Sequence, residues 1–352
     1  MAEKRAASSS FGSSQLVKRQ RSDNDLSHAN GSSSNALIRG SDRPTALQAA
    51  VMELSGHSGE VFAARFDSTG QHIASGSMDR DIRKVLWSST GACENYGKLS
   101  GHKGAVLDLA WSRDSRVVFS ASADMHVASW DAETGQRIRR HTGHEEVINC
   151  LETSKRGEEL LFSGSDDGSI GIWDPRQKAA IHHLQTAFPV TALAIAEAGH
   201  ELYSGGIDNE IRTWDMRKRA IIYQMSGHGD TVTSLSLSPD GQTLLSHSHD
   251  ATVRTWDVRP FAPTDRALRT FDGARMGLDK NLFRASWDPA GKRIAAGSGD
   301  RSAIVWDASS GRMLHKLPGH KGAVNDVRFA PGGADVLLSA STDRTLLLGE
   351  LS

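Results

Sequence analysis

The sequence predicts an all-β chain built from seven tandem units, and three observations carry that prediction. Six tryptophans, Trp87, Trp130, Trp173, Trp214, Trp256 and Trp306, follow one another at intervals of 43, 43, 41, 42 and 50 residues. Five units open on a Gly-His pair whose His57, His102, His144, His228 or His320 precedes Asp79, Asp124, Asp167, Asp250 or Asp343 by 22 or 23 residues. Between these markers, short apolar stretches such as Val117-Val118-Phe119 and Val336-Leu337-Leu338 alternate with turns such as Ser238-Pro239-Asp240-Gly241. Proline presets the early φ of such a turn and glycine supplies the late one. Repetition at this period marks stacked supersecondary units, each burying its neighbour's face.

The unit from Gly143-His144 to Trp173-Asp174 shows what the repeated residues are for. An indole N–H only donates, a strand serine hydroxyl accepts and donates, a neutral imidazole does the same, and a carboxylate ends the series by accepting. His144, a serine, Asp167 and Trp173 can therefore form one buried hydrogen-bonded relay that fixes strand register. The fourth and sixth units keep Asp208 with Trp214 and Asp300 with Trp306. The fourth has Thr186-Ala187-Phe188-Pro189 where Gly-His should stand, and the sixth lacks the pair near Leu278. These units are expected to keep their strands with less local rigidity. In the first unit Asp79 precedes Trp87 by eight residues rather than six, which predicts a bulge or longer turn around Arg80-Asp81. The seventh has Gly349 in place of tryptophan.

A Gly-His opening and a Trp-Asp close at this period resemble the WD-repeat family. The resemblance implies a seven-bladed β-propeller over residues 48–352, with four strands per blade. The last unit holds material for only three strands before Ser352. Val51, Met52, Glu53 and Leu54, just before Gly56-His57, are expected to supply the missing strand and close the ring, hiding a sheet edge that would otherwise invite aggregation.

Residues 1–47 are rich in serine, carry seven Lys and Arg against four Asp and Glu, and include Leu16-Val17-Lys18-Arg19-Gln20-Arg21. With few large apolar side chains they are read as a disordered tail, and the basic cluster points to nuclear import. The remainder is then about −4, without the basic footprint of a protein that grips nucleic acid by itself. Two cysteines, Cys93 and Cys150, without partner spacing exclude a disulfide framework and suit a reducing compartment. No apolar window is long enough for a membrane span, and no secretory leader is visible.

His, Ser and Asp recur together, as in a nucleophilic triad, but five copies each ending on an indole that requires burial argue for structure over catalysis. His247 and His249 share a strand face without a third ligand, so no metal site is expected, nor any cofactor or small-molecule substrate. What remains is loop surface. The long fifth interval carries Arg259, Pro260 and Phe261, then Lys280, Asn281 and Arg284, read as candidate protein-contact residues because stiff prolines, an apolar anchor and arginine make a hot-spot composition.

Trp256-Asp257-Val258-Arg259-Pro260-Phe261-Ala262-Pro263, Lys280-Asn281-Leu282, Ser204-Gly205-Gly206-Ile207-Asp208-Asn209 and Lys316-Leu317-Pro318-Gly319-His320 are similar to the family of WD-repeat subunits of the spliceosomal U5 small nuclear ribonucleoprotein. That resemblance implies a nuclear, non-catalytic scaffold, monomeric within a large complex. Its partners would be the large central scaffold protein of the spliceosome and other U5 proteins, with RNA touched only indirectly. A rival reading comes from Trp173-Asp174-Pro175-Arg176, Trp214-Asp215-Met216-Arg217 and Trp256-Asp257-Val258-Arg259. These match the Trp-Asp-x-Arg box of substrate receptors of cullin-type ubiquitin ligases.

Overall fold

Each unit folds as one four-stranded antiparallel sheet, and seven such sheets make up the computed structural model. The structure describes residues 47, 49–87, 93–277 and 280–351. The tail to residue 46, with its basic cluster, and the sixth unit's opening at Leu278 lie outside the described residues. Blades 1 to 7 begin on the strands Val61–Phe66, Val106–Trp111, Ile148–Thr153, Val190–Ile195, Val232–Leu237, Ala285–Trp287 and Val324–Phe329. First strands are buried almost throughout, as Val190–Ile195 is, whereas the fourth strand Ala220–Met225 buries only Met225. First strands therefore surround the ring axis and fourth strands form its rim.

The ring closes as the sequence requires. Val51–Ser55 pairs antiparallel with Thr345–Glu350, Val51 opposite Gly349 and Leu54 opposite Leu346, and becomes the rim strand of blade 7. Leu54 and Leu47 are buried in one cluster with Leu346, Leu348 and Val61. Two backbone links lengthen the latch: the Leu47 N–H donates to the Glu350 carboxylate at 3.1 Å, and the Glu350 N–H to the Ala50 carbonyl at 3.0 Å.

Side chains also staple one blade to the next near the axis. The Asn149 amide donates to the Val190 carbonyl at 3.2 Å, Thr233 to Phe283 at 2.8 Å and Ser286 to Val327 at 2.8 Å. Asn325 donates to Val61 at 2.8 Å, which joins blade 7 to blade 1. Each staple gives a backbone carbonyl in or just before the next blade's first strand a side-chain donor from the preceding blade.

The relay forms in full in blades 2, 3 and 5. In blade 2 the Trp130 indole donates to Ser120 Oγ at 2.8 Å, Ser120 meets His102 Nε2 at 2.7 Å, and His102 Nδ1 meets Asp124 Oδ2 at 2.9 Å. Blade 3 repeats it through Trp173, Ser163, His144 and Asp167, and blade 5 through Trp256, Ser246, His228 and Asp250. The carboxylate does more than end the chain. Asp124 also accepts the Lys103 N–H at 2.9 Å and the His126 N–H at 3.2 Å, tying the incoming loop to the turn between second and third strands. The residue after this Asp has positive φ in all seven blades, from 63° at Ala251 to 73° at Arg344, and a carboxylate–amide bond holds that turn in every blade but the fourth, where Asp208 meets Arg212 instead. Replacing Asp124 by Ala should cost about 2–4 kcal/mol in denaturant unfolding, because it strands a buried imidazole and two amides. An unchanged unfolding midpoint would rule this out.

Three relay expectations need correction. In blade 1 the turn at Asp79-Arg80 is the same as in every other blade, with no bulge around Arg80-Asp81. Register places Val85, opposite Ile73, where Trp130 stands opposite Val118; Trp87 lies two residues farther on, tilted against Phe66 at 5.9 Å. His57, Ser75 and Asp79 still join, at 2.8 and 2.9 Å, without an indole. In blade 6 Ala296 occupies the serine position opposite Ile304, so the Trp306 N–H turns to the Asp272 carbonyl at 3.1 Å while Asp300 is held by Lys316 at 2.6 Å. In blade 4, Asp208 pairs with Arg212, which substitutes for the absent imidazole, and Trp214 still donates to Ser204 at 2.8 Å. Blade 7 joins His320 to Ser339 and Asp343 at 2.8 and 3.0 Å beside Gly349.

Candidate protein-interaction faces

Successive strands in a blade run antiparallel, so connections after first and third strands emerge on one face of the ring and those after second and fourth strands on the other. The second set carries the Gly-His loops and Asp turns and is here termed the relay face. This alternation separates residues that the sequence grouped. Arg259, Pro260 and Phe261 lie in the connection following Thr252–Asp257, on the face opposite the relays. Lys280 and Asn281 come after the next strand, Ala267–Asp272, and belong to the relay face. Six residues of strand span roughly 20 Å. The candidate contact residues therefore make two separate places, not one loop.

Phe261 is fully exposed between Pro260 and Pro263. Arg259 is half exposed, but its guanidinium already grips Asp257, with Nε 2.9 Å from Oδ1. Lys280 is exposed and Asn281 half-buried, its carbonyl 3.0 Å from His249 Nε2.

Arg284 is not at the surface, and its assignment as a contact residue is corrected. Only 5 % exposed, it leaves blade 6 and reaches across the ring axis to blades 2 and 3. Its Nη1 lies 2.8 Å from Asp108 Oδ2, and its Nη2 donates to the Leu107 and Asn149 carbonyls at 3.1 and 3.0 Å. Arg65 meets the same carboxylate at 3.1 Å, and Arg328 meets Asp326 at 2.8 Å. Burial would raise the Asp108 carboxyl, yet the Arg284 and Arg65 guanidiniums hold it below its usual value, so it stays ionised. The ring axis is bridged by charge.

The sequence reading missed an apolar set on the relay face. Met78, Met125, Phe188 and Ile207 are each at least 44 % exposed, and all come from turns or loops of blades 1 to 4. A signal was present: Met78 and Ile207 directly precede the turn Asp, where other units carry Ala123, Asp166, His249, Gly299 and Thr342.

Comparison with known proteins decides the family. The chain is 45 % identical to the pre-mRNA-splicing factor cwf17 of Schizosaccharomyces pombe over 350 residues, 99 % of this chain and 100 % of the relative. It is 40 % identical to the U5 small nuclear ribonucleoprotein 40 kDa protein of Dictyostelium discoideum, over 97 % of this chain and 95 % of the other. The human protein of that name is 46 % identical over 90 % and 87 %. The chain belongs to the U5 40 kDa family of WD-repeat proteins. The WD domain, G-beta repeat model matches residues 49–84, and the model of the nucleolar protein 10-like N-terminal domain matches 104–345.

In this U5 40 kDa family member the Trp-Asp-x-Arg boxes have a local role. Asp174, Asp215 and Asp257 each accept the N–H of the box arginine, at 2.8, 2.8 and 3.0 Å, so the carboxylate caps its own turn. Asp131 and Asp307 cap the same connection in blades 2 and 6 without that arginine.

One buried histidine gives the propeller an acid sensitivity. His247 stands where register puts Gly76, Ala121, Gly164, Gly205, Gly297 and Ala340 in other blades. At Gly76, Gly164 and Gly205 a side chain would strike a valine of the next blade. Blade 6 begins its first strand only at Ala285, which leaves room for the imidazole beside Phe283. Burial, then the nearby His228, push the His247 ring down to about 4. The unfolded chain therefore takes up a proton near pH 6.5 that the folded chain refuses until about pH 4. Stability present above pH 6.5 should fall by roughly 3 kcal/mol by pH 4 from this group alone. Urea midpoints across that range check it, and His247→Ala should flatten the profile while lowering stability at pH 7.

Proposed function

We propose that this chain is a non-catalytic scaffold subunit of the spliceosomal U5 particle that acts in pre-mRNA splicing in the nucleus. In this reading its propeller binds the large central protein of the assembly and other U5 proteins, and meets RNA only through them. The observation that carries it is likeness over 97–99 % of the chain to relatives named as a splicing factor and as a U5 subunit. The near-neutral propeller and the exposed Phe261 agree with protein contacts.

Purification of the tagged chain from nuclear extract should bring down U5 proteins, with the large central protein retained after ribonuclease treatment. A cullin-ligase adaptor in their place would favour the receptor reading instead. The double variant Phe261→Ala with Arg259→Ala should weaken partner recovery at least tenfold while the melting temperature moves by less than about 2 °C, since neither side chain is buried. Unchanged recovery would remove that loop from the interface.

A further inference from the structure

We propose that the rim of blade 4 takes an extended segment of a partner protein as a fifth strand. The site is the outer edge of Ala220–Met225, and the segment is apolar where it passes Ile221 and Ile222 and acidic where it passes Arg217, Lys218 and Arg219. An unpaired rim strand presents a row of backbone donors and acceptors, and proteins ordinarily guard such edges with charge, proline or cover. Rim strands elsewhere in this ring follow that rule. Cys93–Ser100 carries Glu94 and Lys98, Ala267–Asp272 carries Arg269, and Met313–Pro318 carries Lys316 and ends on proline. Val51–Ser55 carries Glu53, and His182–Gln185 is only four residues long.

Blade 2 is guarded twice. Its rim strand Arg137–Thr142 bears three arginines, and the connection from blade 3 lies along its edge. There the Thr142 N–H donates to the Lys178 carbonyl at 3.0 Å, Thr142 bridges Ala179 in parallel, and Arg139 reaches the Pro175 carbonyl at 2.7 Å. The fold thus already lays an extended segment beside one rim edge.

Blade 4 has none of these guards. Ala220–Met225 is six residues long without a charge or a proline, and Ile221 and Ile222 are 42 % and 49 % exposed. Among the described residues, no backbone group of 220–225 bonds anything beyond the neighbouring strand Ile211–Asp215. Directly before it, Arg217, Lys218 and Arg219 are exposed, and none closes an ion pair among the described residues. Backbone pairing would supply affinity, Ile221 and Ile222, adjacent at the register shift opposite Thr213 and Trp214, would supply apolar contacts, and the basic triplet would select acidic flanking residues and set direction.

The inference rests on the chain being a subunit of an assembly, and the test separates the two. A photo-cross-linking amino acid is placed at Ile222 in the full chain, the assembled particle is purified and irradiated, and the attached peptide is sequenced. Capture of a protein segment with apolar residues at the cross-link and at least two acidic residues beside them supports the proposal. Capture of RNA, capture of a second copy of this chain, or no cross-link from a particle that still assembles overturns it. As a second readout, amide hydrogen exchange of 220–225 should slow at least tenfold in the particle relative to the free chain. Ile222→Lys, which adds a guard at an exposed position, should abolish that slowing while leaving the free chain's melting temperature unchanged. Equal exchange in both states, or slowing that survives Ile222→Lys, also overturns it.

Discussion

Truncation through Ser55 should make the protein aggregate during expression, and whatever soluble fraction remains should show concentration-dependent light scattering. The cut removes the whole rim strand Val51–Ser55 and exposes the edge of Thr345–Glu350. It also strips Leu54 and Leu47 from their cluster, and losing a buried leucine costs about 2–5 kcal/mol. Unlike loss of an inner strand, this damage is at the one seam where the two ends of the propeller meet, so no neighbouring covalent connection compensates. A soluble, monomeric truncation with an unaltered melting temperature would show that the ring does not depend on this strand.

The second large effect lies at the axis. Asp108→Ala should lower stability by about 3–5 kcal/mol in urea unfolding, because it leaves the buried Arg284 guanidinium without its carboxylate. Arg284→Met alone should also destabilise, by stranding the carboxylate. Combining Arg284→Met with Asp108→Leu should recover at least about 1.5 kcal/mol relative to the sum of the single changes, since an apolar pair in the same space carries no desolvation penalty. Strict additivity would mean that the two side chains do not act as a unit. Arg65 shares the Asp108 carboxylate at 3.1 Å, which is why recovery is expected to be partial.

These two sites differ in how far the sequence revealed them. Ring closure was legible, because counting strands in the last unit leaves one missing and only the segment before Gly56-His57 is free to provide it. The axial bridge was not. Arg284 was read as a surface residue because it follows a long connection containing Lys280 and Asn281, and nothing local distinguishes an arginine aimed inward from one aimed out.

The relay shows the same boundary within a single motif. His102, Asp124 and Trp130 sit at spacings that fix their meeting, because they lie in the entering loop, the second turn and the third strand of one blade, whose register the turn dictates. Trp87 looks like a member by its Trp interval, yet pairing of the second and third strands puts Val85 in that place. Trp306 keeps the interval but meets Ala296 instead of a serine, so its N–H finds a carbonyl.

By itself, then, the sequence determined the number of blades, the all-β class, the relay chemistry and the source of the closing strand. All of these follow from periodicity and from contacts between residues close along the chain. Tertiary structure alone decided which loops share a face, that Arg284 spans the axis to Asp108, that His247 fills a gap left by a late-starting strand, and that one rim edge stands unguarded. Those features depend on how separate sheets are oriented about a common axis, and that geometry brings together residues as far apart as Arg284 and Asp108, 176 positions, without leaving a mark at either one.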